Sequence, residues 1–414
     1  MGPRLSGPDN AASVVVTGLG VVAGTICGAE RLRESLRRSV MSCSDVDRRA
    51  GYHAPESARL AVLSGDVNLS PWLSPAAARR MSAPSRFAVA AAHMALADAA
   101  QPEAYSARTA VVMSNALGAV HYTEQLLRTA MLDSPGAVSP FTFTESVSNA
   151  AAAQVAIACQ ARGTNLTIVQ REAGILTAVA RGAAEVAAGR TDCALVGGVE
   201  EMPPIMHALF DRLEALARPG HDGGEVARPF DRRRSGFVAA EGAVVLVLER
   251  EQAARSRNAT IRARIRGFGG AFDPSAPRIG WGRGAPVLAT RLGALLDRCG
   301  LATRHIGRIV SGASGAVAGD RLEGQTLLET WQGHPLPPVL APKGVTGQYG
   351  GGFLASAVLS VADREFGATG GFSEPDPAVG VIPHVGGPLP HADITLVTSL
   401  ASGGAAAWLL LEHV

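Results

Sequence analysis

The sequence predicts an α/β protein built from two halves, and three observations predict it. Short apolar, β-branched runs alternate with helical stretches, which implies sheets covered on both faces. The alternation starts afresh after residues 249–260. Finally, 47% of the 414 residues are hydrophobic and 18% are charged, enough for a large core.

The elements follow in order. "SVVVTGLGVVAG" (13–24) predicts a buried strand closed by a glycine turn, and "AERLRESLRR" (29–38) has amphipathic helical spacing. "ARRMSAPSRFAVAAAHMALADAA" predicts a long helix, and "RTAVVMSNALG" a buried strand with a small-residue turn. "VSPFTFTESVSNAAAAQVAIACQ" predicts a loop leading into a helix. "TNLTIVQREAGILTAVARGAAEV" (164–186) predicts strand, sharp turn and helix, and "TDCALVGGVEE" a further strand. In the second round, "TIRARIRGFGGAFD" opens a new set of strands, "GAPVLATRLGALLDRCG" is helical and "RHIGRIVSGASG" ends in a strand. "FLASAVLSVADREFG" is a helix, and "DITLVTSLASGGAAAWLLLEH" a closing hairpin. The expected division is a disordered tail over 1–12, one half over 13–255 and a second over 256–414.

Composition excludes several functions. A net charge of +2 gives no reason to invoke nucleic acid, and no run is apolar enough to span a bilayer. The polar N-terminus lacks a signal-peptide core, so a cytoplasmic protein is expected. Five scattered cysteines without ligand spacing argue against a metal site and for reduced thiols. Lys343 is the only lysine among 38 basic residues. A compact ammonium that arginine does not replace invites a chemical reason.

Gly18, Gly20 and Ala23 fit a dinucleotide-binding GxGxxG/A pattern. The acidic residue that should close a second strand has no candidate, so a glycine turn for close helix packing is the better reading than a nicotinamide site.

"RPFD" (228–231), "GF" (236–237) and "EGA" (241–243) before "VVLVLE" form a longer signature. With "VVVTGLGVV", "VSPF", "ALVGGVEE", "PKGVTG" and "SLASGG", in that order, the chain resembles the β-ketoacyl synthase family of the thiolase-like fold. The resemblance implies two related halves forming a five-layered αβαβα core. It also implies a cysteine nucleophile at the strand–helix turn, two histidines that stabilise an enolate, and a lysine and glutamate around them.

The matching positions depart from that chemistry. Glu172 stands where the family carries the cysteine, and none of the five cysteines lies in that turn. The first histidine falls on Gly312, or on Ala313 with a one-residue shift, while Asp320 and Glu323 match the end of that motif. The second falls on Gln348, with Lys343 retained. In the glycine-rich gate, from Leu400 to Gly404, both phenylalanines are gone.

The chain is therefore similar to the chain-length factor of type II polyketide synthases, although glutamine is common there at the nucleophile position. That resemblance implies a heterodimer with an active ketosynthase, contact with an acyl carrier protein, and no cofactor. It also implies a wall of the acyl tunnel near residues 139–154, with Phe141, Phe143, Glu145, Ser146 and Asn149 as candidates. Glu172 is expected to ion-pair with Lys343, with Glu323 close by. The alternatives are a malonyl-carrier-protein decarboxylase that initiates chains and an NAD-binding oxidoreductase.

Overall fold

The computed structural model describes residues 12–65, 67–101, 107–220, 224–349 and 352–414; the tail expected over 1–12 lies, but for residue 12, outside them. Ten strands carry the fold: β1 (Val14–Ala23), β2 (Thr109–Asn115), β3 (Asn165–Val169), β4 (Cys193–Glu200), β5 (Gly242–Arg250), β6 (Ala263–Phe272), β7 (Ile306–Val310), β8 (Val339–Leu340), β9 (Ile394–Leu400) and β10 (Ala405–Glu412). The helices used below are α1 (Ala83–Asp98), α2 (Val120–Leu132), α3 (Pro140–Ser146), α4 (Ala150–Ala158), α5 (Gly174–Ala187), α6 (Ala285–Arg298), α7 (Val317–Trp331), α8 (Lys343–Thr346) and α9 (Gly352–Ala362).

The strands lie in the order β8-β7-β9-β10-β6-β1-β5-β4-β2-β3. That row is one pattern used twice. In the first half β2 runs parallel to β3 and β4, and β5 is antiparallel to both β4 and β1. In the second half β7 runs parallel to β8 and β9, and β10 is antiparallel to both β9 and β6. The halves join where Val15 and Val16 of β1 meet Arg264 and Ala263 of β6.

Each half buries its sheet on both faces. Helices α1 and α4 cover the outside of the first, while α6, flanked by α7, covers the outside of the second. Between the sheets lie α5 and α9, each the helix that follows the third strand of its half. Every described side chain of α9 from Gly352 to Val361 is buried. The result is the five-layered αβαβα, thiolase-like core that the sequence implies. Among the described residues, no helix is long and apolar enough to cross a membrane.

The glycine motif near the N-terminus is placed differently from expectation. Gly18 and Gly20 sit inside β1, not in a turn after it. A Cβ on Gly18 would fall within contact of the Ala95 carbonyl oxygen, and one on Gly20 within contact of the Ala91 carbonyl oxygen. These glycines let α1 lie directly on the strand. They do not open the N-terminus of a helix to a pyrophosphate, which removes the basis of the nicotinamide reading.

β3 ends the row, so among the described residues one side of it pairs with no other strand. Beside it, Val169 is 59% and Ile157 71% exposed. Exposed apolar side chains next to an unpaired strand edge mark an association surface.

Gly20→Val should lower the unfolding free energy by about 1–3 kcal/mol, because α1 cannot move away without uncovering β1. Gly293→Ala, at an α6 position with open space around the new methyl, should instead gain about 0.5–1 kcal/mol. Urea unfolding of both variants checks the pair of signs.

Candidate functional site

The turn at the head of α5 is built from Gln170, Arg171 and Glu172, followed by buried Ala173. Arg171 has φ +46°, in the left-handed region that few non-glycine residues occupy. Its guanidinium donates to Ser402 O (2.8 Å), Ser402 Oγ (3.0 Å) and Arg278 O (3.2 Å). On the next residue, the Glu172 carbonyl accepts the Ser399 hydroxyl at 2.7 Å. The turn is thus fastened to the end of β9 and to the loop behind it.

Glu172 is half-buried as a residue, yet its Oε2 is buried and has no hydrogen-bond partner. Burial pushes its carboxyl above the ordinary range. Its own backbone N–H, the nearby charges of Lys343 and Arg171, and the Ser402 N–H pull the other way.

Lys343, at the start of α8, is 2% exposed, with Nζ 4.8 Å from the centre of the Phe353 ring. Burial lowers its pKa against the pull of Glu172, Glu323 and Asp320. The expected Glu172–Lys343 ion pair is not formed: no ion pair among the described residues includes Lys343. The ammonium lies over the Phe353 ring instead, and the backbone N–H groups of Glu172 and Ser402 favour the Glu172 carboxylate from the other side. The charges still act on each other across the gap.

The two acids of "DRLE" hold the loop after β7. Glu323 Oε1 accepts from Ser311 Oγ (2.5 Å), Gly312 N (3.2 Å) and the Thr398 hydroxyl. Asp320 accepts from Phe230 N (2.8 Å), Ser314 N (3.0 Å) and Gly315 N (3.1 Å). Burial raises Glu323 to about 7 and Asp320 to about 6, despite those donors. A Cβ on Gly312 would sit 2.9 Å from Thr398 O and 3.2 Å from Ser399 Cα, so a larger side chain has no room there without movement. Ala313 is buried in the outer core beside Phe230 and Trp408.

Gln348 pairs through its backbone, donating to Val238 O (2.8 Å) and accepting from Ala240 N (3.1 Å). Its Oε1 is buried without a partner. Leu400 ends β9 opposite Ala406 and belongs to the same buried cluster as Phe230, Ala313 and Trp408. It is a core residue at 4% exposure. The polar contacts come from Ser402, two residues on.

The segment 139–154 folds as two helices, α3 and α4, and not as a loop leading into one. Phe141 and Phe143 point outward, Phe143 being 58% exposed. Asn149 is exposed at the head of α4, and Ser146 Oγ bonds back to Phe143 O. Glu145 does not belong with them. It is buried, taking Ser82 N and Ser85 Oγ on one oxygen (2.8 Å each) and Gln154 Nε2 on the other (2.7 Å). It anchors α3 to the head of α1 and so is no wall of an open tunnel. A surface cavity of about 330 Å³ lies between α2 and α3, lined by Gln125, Arg128, Thr129, Val138, Ser139 and Thr142.

Sequence reasoning missed two features of the site. Ser402 is the hub of its polar contacts, and nothing in "LASGG" singles out that serine. Glu200 ends β4 and Glu201 follows it; burial raises them to about 8 and about 7, Glu200 also feeling Glu201 and Glu172. The adjacent acids in "GGVEE" were the visible sign. No cysteine reaches the turn, and burial raises Cys159 to about 12 and Cys43 to about 11, the reverse of an activated nucleophile.

Comparisons with known proteins agree with this architecture. Residues 11–254 match the family model "Beta-ketoacyl synthase, N-terminal domain". The chain is 30% identical to the tetracenomycin polyketide synthase ketoacyl synthase beta subunit of Streptomyces glaucescens, over 97% of this chain and 98% of that protein. It is 32% identical to 3-oxoacyl-[acyl-carrier-protein] synthase 2 of Rhizobium meliloti (strain 1021), over 64% and 66% of the two chains. Among solved structures it superposes on the ishigamide ketosynthase/chain length factor with TM-score 0.86 and 25% identity, covering 98% of this chain and 100% of that one.

The raised carboxyls set the sign of the pH dependence. Glu323 binds its proton more tightly when folded than when unfolded, so its contribution is complete below about pH 4.5 and is lost as pH rises through about 7. The loss is on the order of 3 kcal/mol for such a shift. Denaturant midpoints should therefore fall between pH 5 and 8. Glu323→Gln should flatten that fall and Lys343→Met should steepen it.

Proposed function

Because this chain belongs to the β-ketoacyl synthase family, we propose that it is a non-condensing subunit of the chain-length-factor kind. It pairs with an active ketosynthase and shapes the tunnel that receives the growing acyl chain. The observation that carries this reading is the head of α5, where a carboxylate occupies the turn at which the family's chemistry needs a thiolate. A carboxylate held at a helix N-terminus is well placed electrostatically, yet it forms no thioester. Gly312 and Gln348, at the positions the histidines would take, supply no imidazole for an enolate. The same lack weighs against the decarboxylase reading, as does a second negative charge beside a malonyl carboxylate.

What remains for such a subunit is geometry. The unpaired edge of β3, with Ile157 and Val169 beside it, offers the partner a strand to pair with and apolar area to bury. Exposed Phe141 and Phe143 on α3 lie on the segment assigned to the tunnel wall. An acyl chain that meets such a wall must overpack it, at about 1–3 kcal/mol, which slows the next extension roughly five- to a hundred-fold. That is enough to set a length. The carrier protein brings the chain to the partner's thiol, and this chain contributes no cofactor.

Mass analysis of the carrier-bound product, with the chain expressed together with its ketosynthase, tests the reading. The pair should make an elongated product, and the chain alone should make none. Glu172→Cys alone should not restore condensation. Phe143→Ala in the pair should lengthen the product. Elongation by the isolated chain would sink the proposal.

A further inference from the structure

The contacts of Arg171 reach beyond its own turn. Ser402 Oγ, which accepts from Arg171, also accepts from Gly280 N at 3.0 Å. Gly403 N donates to Gly280 O at 2.8 Å, and Asp273 N donates to Gly404 O at 2.7 Å. The loop over residues 273–284 is braced from within. Asp273, fully buried, takes Ser275 N (2.9 Å) and Ser275 Oγ (2.7 Å) on one oxygen and Gly284 N (3.0 Å) on the other. Two loops from the second half, 273–284 and 401–404, therefore meet at one guanidinium from the first half.

Arg171 itself sits in a strained backbone conformation. A non-glycine residue kept at φ +46° needs its surroundings to hold it there. What holds it is the fork: two nitrogens reaching two carbonyls on two different loops, plus one hydroxyl. The planar, five-donor guanidinium can make this three-way contact, and an ammonium cannot span it in the same way.

We propose that Arg171 is a pin that holds loops 273–284 and 401–404 closed over the Glu172 turn, sealing this chain's own acyl site. It rests on the reading above only for what the site once received. The closure itself is a matter of hydrogen bonds. With the pin in place, a carrier-borne acyl chain finds this turn shut and is left to the partner's thiol. Asymmetry between the two subunits then comes from a locked door as well as from a missing nucleophile.

Hydrogen exchange on the full chain, alone and with its ketosynthase, tests the pin directly. Glycine tolerates φ +46°, so Arg171→Gly removes the guanidinium without adding backbone strain. The amides of Gly280 and Gly403 should exchange at least ten-fold faster, with those of β9 unchanged. Arg171→Lys should behave like Arg171→Gly. A second readout uses Glu172→Cys as a reporter. Its thiol should react with iodoacetamide at least ten-fold faster when Arg171→Gly is added. Unchanged exchange at Gly280 and Gly403 would overturn the proposal, and so would equal acceleration in β9, which would make Arg171 a general stabiliser. Neither result depends on product length, so a failed pin and a failed chain-length role are told apart.

Discussion

A helix covered on both sides by sheets has no face to offer to water. α9 is in that position from Gly352 to Val361, and α5 nearly so, which favours small and apolar side chains. Two clusters of charged groups lie toward the ends of α5. At the tail of α5, buried Glu185 is held by Arg181 and Arg190, each at 2.8 Å. At its head stand Arg171 and Glu172, where the end of β9 and the loop 401–404 converge. The position of the site follows from this layering, whatever chemistry the site performs. The unfilled N–H groups at the head of a buried helix must meet an acceptor somewhere, and here a glutamate side chain and loop contacts surround them.

The same constraint explains why parts of a catalytic motif persist where its reactive groups do not. Asp320 and Glu323 between them satisfy the backbone N–H groups of Phe230, Gly312, Ser314 and Gly315. Removing either would strand several buried donors, each worth about 1–3 kcal/mol when left unmade. These contacts give both acids a structural role. Histidines at 312 and 348 would serve no backbone group, and the space beside Gly312 has closed around Thr398 and Ser399.

Much of this was legible in the chain itself. The buried strands announce themselves as unbroken apolar runs, and the second half is visible as a pattern that restarts, although the two-residue β8 is too short to read. The departures at Glu172, Gly312 and Gln348 also stand out once the surrounding motif is known. What was not legible depends on third dimensions of contact. Gly18 and Gly20 look like a turn because glycine pairs usually punctuate, yet here they thin a strand so that α1 can lie on it. Glu145 looks like a surface residue in a polar stretch, but its partners Ser82 and Ser85 are sixty residues away. Lys343 and Glu172 were rightly placed as neighbours and wrongly joined: the ammonium lies over an aromatic ring instead, and backbone N–H groups favour the carboxylate from the other side. Leu400 keeps the place of a gate residue while its strand register turns it into the core.

The open side of β3 has one more consequence, and it concerns self-association. A strand edge with unused backbone donors and acceptors pairs with whatever extended chain it meets, including another copy of itself. The core does nothing to limit this, since the edge is outside it. The tendency to pair in this way is concentrated in a five-residue strand. Sticky edges accumulate in proportion to the chain that is left uncovered. Control of the chain's self-association is thus written into the rim of a sheet.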